Sequence, residues 1–265
     1  MKAFALGPLA SAFALLAAAA ALLLTSPSAP ARSLSIIREG GSIGLCVHPN
    51  ALPFSSKTAE PPGFQVELGR ALAKELGVSL DLDWVTISYE VPRTSCDLLL
   101  DMVADRDVDL DYGIKLAKPY YRSGVGFVVP AASKIVSFND LDQHTKVGVL
   151  VGSVAAMVLD KHHVPISIFG SEDDMLAALA DGEIDAAAVA PIAAQYFGGH
   201  HRQTPVRYIW PDEAQPDLVW NVAVGIRRPD DALRAEVDRA MERLMANGTI
   251  ARIYAGYGVS LRPPK

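Results

Sequence analysis

The chain runs through one α/β pattern, stops, and starts another, and the stretch that holds the break constrains everything else. From Cys96 to Pro130 it reads CDLLLDMVADRDVDLDYGIKLAKPYYRSGVGFVVP. Two β-rich apolar runs, Leu98 to Leu100 and Val125 to Val129, bracket a polar loop that brings Tyr120, Tyr121 and Arg122 together just before the second run. Proline cannot donate to a sheet ladder, so the second run is predicted to end at Pro130, where Ala131-Ala132-Ser133 lead into the new pattern. The second pattern returns to the first near Leu218. This organisation predicts two α/β lobes, each a sheet flanked by helices, joined by two hinge crossovers. Lobe one takes residues 32–130 and 220–265, lobe two residues 131–219, and the cleft between them is the default site.

In chain order, Ser42 to Val47 is the first predicted strand. Pro49 to Phe54 follows as a stiff loop at its carboxyl end, where open α/β sheets place ligands, so Phe54 is a candidate cleft residue. Apolar positions at Phe64, Leu68, Ala71, Leu72 and Leu76 keep a helical period closed by Gly77, and Leu80 to Val85 is the second strand. In lobe two, strands are predicted at Lys146 to Leu150, Val164 to Phe169 and Ile184 to Val189. A helix starts at Gly152-Ser153, a second is capped by Ser171, and a third begins at Pro191. Val206 to Trp210 and Leu218 to Ile226 read as strands. An amphipathic helix from Asp231 to Ala246 and a last one from Thr249 to Tyr257 complete the chain. The helix start at Gly152-Ser153 offers unpaired N–H groups to an anion, and Gly152, Ser153 and Pro191 are counted with the lobe-two side of the cleft.

Half of the 265 residues are hydrophobic, ample for packed cores. Met1-Lys2, an apolar run to Leu24 and the tail Thr25 to Ala31 have the three parts of a secretory signal, with cleavage expected after Ala31. The alternative is an uncleaved membrane anchor. No cysteine lies near the cleavage site, which argues against lipid anchoring, so residues 1–31 are taken as a signal peptide and the periplasm as the destination. A net charge of −6 with scattered charges argues against nucleic acid and anionic membranes as partners. Two cysteines in an exported chain suggest one disulfide. Cys46 lies in the first strand and Cys96 opens the third, and those strands are neighbours in a sheet of order 2-1-3. The alternative is two buried thiols.

No nucleophile elbow, phosphate loop or HExxH pattern is present, so no catalytic residue and no cofactor is assigned. Asp105, Asp107, Asp109 and Asp111 resemble a calcium loop but lack its glycine at position six and glutamate at position twelve. No metal site is assigned. His162-His163 and His200-His201 would need folding to bring them together. Tyr89, Arg93, Tyr120, Tyr121, Trp210 and Trp220 read equally as ligand contacts or as ordinary surface and core residues. Arg122 could grip a carboxylate by its bidentate fork or pair with a local aspartate.

The segments CVHPNALPFS, PPGFQVELGRALAKELG, CDLLL, AKPYYRSG, VGVLVGS, GEIDAAAVAPIAAQYF and VAVGIRRPDDALRAEVD together resemble extracellular solute-binding proteins of family 3. That resemblance implies the type 2 two-lobe periplasmic binding protein fold. Cys46-x-x-Pro-x-x-Leu-Pro-Phe-Ser with a later CDLL and KPYYRS is similar to the subgroup associated with quinoprotein alcohol dehydrogenases, including the J protein of methanol oxidation. In the amino-acid-binding majority, an arginine in a Thr-x-x-x-Arg segment holds the substrate carboxylate. The matching run here, Gly113 to Lys118, has none. That majority also holds the ammonium by an aspartate five residues beyond the one corresponding to Asp185, where this chain has Ala190. Asp185 itself is counted with the cleft. Without both anchors a buried zwitterion is left uncompensated at a cost of several kcal/mol.

Two functions follow from the resemblance. One is a non-enzymatic periplasmic accessory of a pyrroloquinoline-quinone alcohol or methanol dehydrogenase, contacting that enzyme or its cytochrome. The other is the receptor of an ABC importer for a small organic solute other than a typical amino acid. An enzyme on the same scaffold is a third possibility, although no acid/base pair stands out.

Overall fold

The computed structural model describes residues 32–104, 113–200, 205–211 and 216–265. Residues 1–31, the acidic loop with Asp105, Asp107, Asp109 and Asp111, and His201 lie outside them.

The first sheet is built from β1 (Ser42–Val47), β4 (Ser79–Trp84), β5 (Leu98–Val103), β6 (Ile114–Leu116), β7 (Tyr121–Gly124) and β13 (Val219–Arg227). Its order is β4-β1-β5-β13-β6, with β7 pairing farther along β13. β1 runs parallel to β4 and β5, as the 2-1-3 order requires, and β13 runs antiparallel to its neighbours. A short hairpin, β2 (Asn50–Ala51) and β3 (Ser55–Ser56), follows β1. Helices α1 (Leu34–Gly40) and α2 (Phe64–Leu76) precede the parallel strands they serve. α1, read from the sequence only as a lead-in, is capped by the Ser33 hydroxyl, which accepts from Ile36 N–H.

The second sheet has the order β10-β9-β11-β8-β12. Its strands are β8 (Gly126–Pro130), β9 (Val147–Leu150), β10 (Ile166–Phe169), β11 (Ala186–Val189) and β12 (Val206–Ile209). Helices α3 (Val154–Lys161), α4 (Glu172–Ala180) and α5 (Pro191–His200) start after β9, β10 and β11. Ser153 and Ser171 cap α3 and α4 by accepting from Ala156 and Asp174 N–H. The chain then returns through β13 to α6 (Asp231–Ala246), capped by Asp230, and α7 (Thr249–Gly256). On α6, Leu233, Val237, Ala240, Met241 and Leu244 are all buried, the stripe expected from the apolar period.

The first crossover falls earlier than the proline suggested. β7 belongs to the first sheet and β8 to the second, so the chain passes between them at Val125, and Pro130 is the last residue of a second-sheet strand. Glycines make the passage possible. A Cβ on Gly124 would collide with the Leu218 carbonyl, and one on Gly126 with the Tyr208 ring. Val125 N–H donates to Leu218 O at 2.8 Å, so the outgoing and returning segments run side by side.

Cys46 and Cys96 form a disulfide with Cα atoms 5.4 Å apart, bridging β1 to the entry of the adjacent β5. Closing a loop of 50 residues lowers the entropy of the unfolded chain enough to stabilise the fold by roughly 4 kcal/mol. Tyr89 and Arg93 lie nearby on a 3-10 turn, Ser88–Arg93.

Candidate functional site

A cavity of about 190 Å³ opens where the carboxyl ends of second-sheet strands face the crossover and the loop after β1. One wall is Phe54, Gly124, Val125 and Trp220. Opposite stand Leu150 from the end of β9, the α3 start from Ser153 to Ala155, Ala188 to Ala190 from the end of β11, and Glu172 from the start of α4. This is the crevice at strand ends where open α/β sheets place ligands.

Phe54 is held there by a ladder of rings. Its ring centroid lies 5.0 Å from Phe64, which stacks on the fully buried Tyr254 at 4.4 Å. Gly63 lets α2 begin directly beneath: its φ is 101°, and a Cβ would strike the Phe54 carbonyl. Glu172 is the only ionisable side chain in the lining, and no hydrogen bond or ion pair holds it among the described residues. Burial pushes its carboxyl up to about 8, and the charge of neighbouring Asp173 adds to the shift.

Of the residues expected at the cleft, Phe54 and Ser153 line the cavity. Gly152 and Pro191 flank it as chain neighbours of Ser153 and Ala190. The others lie elsewhere. Tyr120 and Tyr121 are buried, and both donate hydroxyl protons to Asp101 Oδ1, at 2.6 and 2.9 Å. Gln65 Nε2 donates to the other oxygen at 2.6 Å. This cluster depends on an irregularity: β5 carries an extra residue opposite the step from Ala223 to Gly225, and Asp101 adopts a φ of 62°. Such a bulge re-aims a side chain, here toward the two tyrosines.

Arg122 sits on β7 opposite Asn221, and its N–H donates to Arg262 O at 2.8 Å; it does not line the cavity. Tyr89 is exposed on the disulfide side, with the Arg93 guanidinium 5.5 Å from its ring centre. Asp185 is at the amino end of β11, where it accepts Lys146 N–H at 2.8 Å and lines a separate opening with Asp142 and His144. An aspartate at the start of a short strand cannot reach the site at its end. Lys115 pairs along the outer edge of the sheet on β6, and Lys118 meets Glu242 at 2.6 Å on the surface, so neither lines the cavity. Trp210 packs edge-on against Tyr208, 4.7 Å away. His162 packs against Phe138, and no metal-binding group of three His, Cys, Asp or Glu occurs among the described residues. Glu172 was missed by the sequence reading. Its signal was position, the first residue after an N-cap following a strand.

Two sheets linked by paired crossovers, with a cavity at their junction, define the two-lobe binding-protein class. The chain belongs to the bacterial extracellular solute-binding proteins, family 3, which it matches over residues 43–260. It is 24% identical over 245 residues to a membrane-bound lytic murein transglycosylase F of Desulfosudis oleivorans, covering 85% of this chain and 50% of that protein. It is 30% identical over 118 residues to protein MoxJ of Paracoccus denitrificans, covering 42% of this chain and 37% of MoxJ. The chain therefore spans half or less of these two relatives. Among solved structures, an ancestral cationic amino acid solute binding protein superposes with a TM-score of 0.70 at 23% identity, covering 85% of this chain and 99% of that one. Among the described residues no helix is long and apolar enough to cross a membrane.

Proposed function

We propose that this protein is a periplasmic, non-enzymatic accessory of a quinoprotein alcohol or methanol dehydrogenase, built on a solute-binding fold whose amino-acid anchors are gone. The observation that carries the reading is the lining of the cavity. Ala190 stands where the family's ammonium ligand is expected, and among the described residues no cationic side chain reaches the cavity to hold a carboxylate. The 30% identity to MoxJ over 118 residues supports the choice of partner. The lobe division behind this reading places the boundary at the Val125 and Leu218 crossovers.

The test is capture from the native periplasm. Affinity-tagged protein is expected to retain the dehydrogenase or its cytochrome on native mass spectrometry, and glutamate, glutamine, arginine and histidine are expected to give no calorimetric binding. Submicromolar binding of any of these amino acids, with no dehydrogenase retained, overturns the proposal.

A second reading is the receptor of an ABC importer for a small organic solute. It is favoured by the cavity itself, which keeps an aromatic wall and an ionisable group facing each other.

A further inference from the structure

We propose that the cavity between the Phe54 and Trp220 rings and Glu172 binds a small organic cation, an ammonium compound carrying no carboxylate, with the Glu172 carboxylate as its counter-charge. The inference concerns the small-molecule site alone and does not depend on the dehydrogenase reading.

The charge of the ligand follows from what surrounds Glu172. α4 packs on β8, β9, β10 and β11, and none of these strands carries an ionisable side chain. The α3 start and the Phe54 wall contribute none either. The charge felt by Glu172 is that of Asp173 on the same helix, and the Tyr196 phenol of α5 interacts with Asp173. No cation of the protein serves this carboxyl among the described residues. A carboxyl desolvated without a partner is expected to take up a proton, which agrees with its pKa near 8. An arriving cation supplies the missing charge and releases the proton.

The rings decide the rest. A cation against an aromatic face gains electrostatic attraction that an anion does not, and the wall opposite Glu172 is aromatic and aliphatic. A zwitterionic amino acid would bring a carboxylate into a lining where, among the described residues, no cationic side chain meets it. A volume of about 190 Å³ is roughly that of six waters, which suits a compact ammonium compound rather than a peptide.

The test uses choline as probe, its neutral isostere 3,3-dimethylbutan-1-ol, and butyrate. Calorimetry at pH 7 in two buffers of different ionisation enthalpy is expected to show choline binding with release of about one proton, because a group titrating near 8 is mostly protonated there. Choline affinity is expected to rise about tenfold from pH 6 to 7, about fivefold from pH 7 to 8, and to level off above the carboxyl's own titration near 8. Glu172→Gln is expected to weaken choline at least tenfold and abolish proton release, with the alcohol unaffected. Should that variant fold poorly, Phe54→Leu is expected to weaken choline several-fold while leaving proton release intact. Absence of choline binding at 10 mM overturns the proposal. So does equal choline affinity in a folded Glu172→Gln variant, or a preference for butyrate. None of these outcomes bears on whether a dehydrogenase is captured.

Discussion

Asp101 and Glu172 are both carboxyls that burial drives toward the protonated form, and the protein treats them in opposite ways. Around Asp101 it supplies three donors, Gln65, Tyr120 and Tyr121, and closes the cluster with the buried Tyr254 hydroxyl 3.5 Å from Tyr120. Around Glu172 it supplies an apolar cavity and a helix start. A carboxyl whose hydrogen bonds are all made inside the chain belongs to the scaffold. One left facing a cavity is available to a ligand.

The largest effect expected from breaking this contrast is at Asp101. Asp101→Ala leaves two buried hydroxyls and an amide without their acceptor and is expected to cost about 4 kcal/mol in urea unfolding. A cost under about 1 kcal/mol would mean that the cluster is solvated and the contrast false. Tyr121→Phe removes one donor of three and is expected to cost about 1 kcal/mol, with the Tyr120 bond retained. A larger loss would show that the donors act cooperatively.

The effect at Glu172 appears only with pH. Its folded pKa is raised from 4.5 to about 8, so its contribution to stability is fully present below pH 4.5 and is lost as pH rises through about 8. Glu172→Gln is expected to match the parent within about 0.5 kcal/mol at pH 4 and to exceed it at pH 9. Unfolding curves at the two pH values check this, and identical pH dependence in parent and variant would remove the distinction between the two carboxyls. Asp101 is also raised, so its own contribution is greatest below its ordinary value of 3.8 and declines above it.

Much of the scaffold was legible along the chain because it depends on local pattern. The Asp231 to Ala246 stripe, the caps at Ser153, Ser171 and Asp230, and the adjacency of Cys46 and Cys96 need only period, capping chemistry and strand order. The position of Phe54 followed from the rule that loops at strand ends meet ligands. Tyr120 and Tyr121 stayed open between ligand contact and core because an aromatic pair beside a turn looks the same whether it faces solvent or core. Their fate depends on a bulge twenty residues upstream that aims Asp101 at them. Pro130 misled because a proline stop is visible in sequence, whereas a crossover carried by Gly124 and Gly126 depends on the approach of Leu218 and Tyr208 from far along the chain.

By itself, then, the sequence carried the element types, the two-unit grammar and the disulfide partners, all properties of residue identity at fixed spacing. Tertiary structure alone decided which carboxyl is satisfied and which is left facing a cavity. Desolvation and hydrogen bonding are set by atoms distant in the chain, and Glu172 acquires its character only when Phe54, Trp220 and the end of β11 close around it.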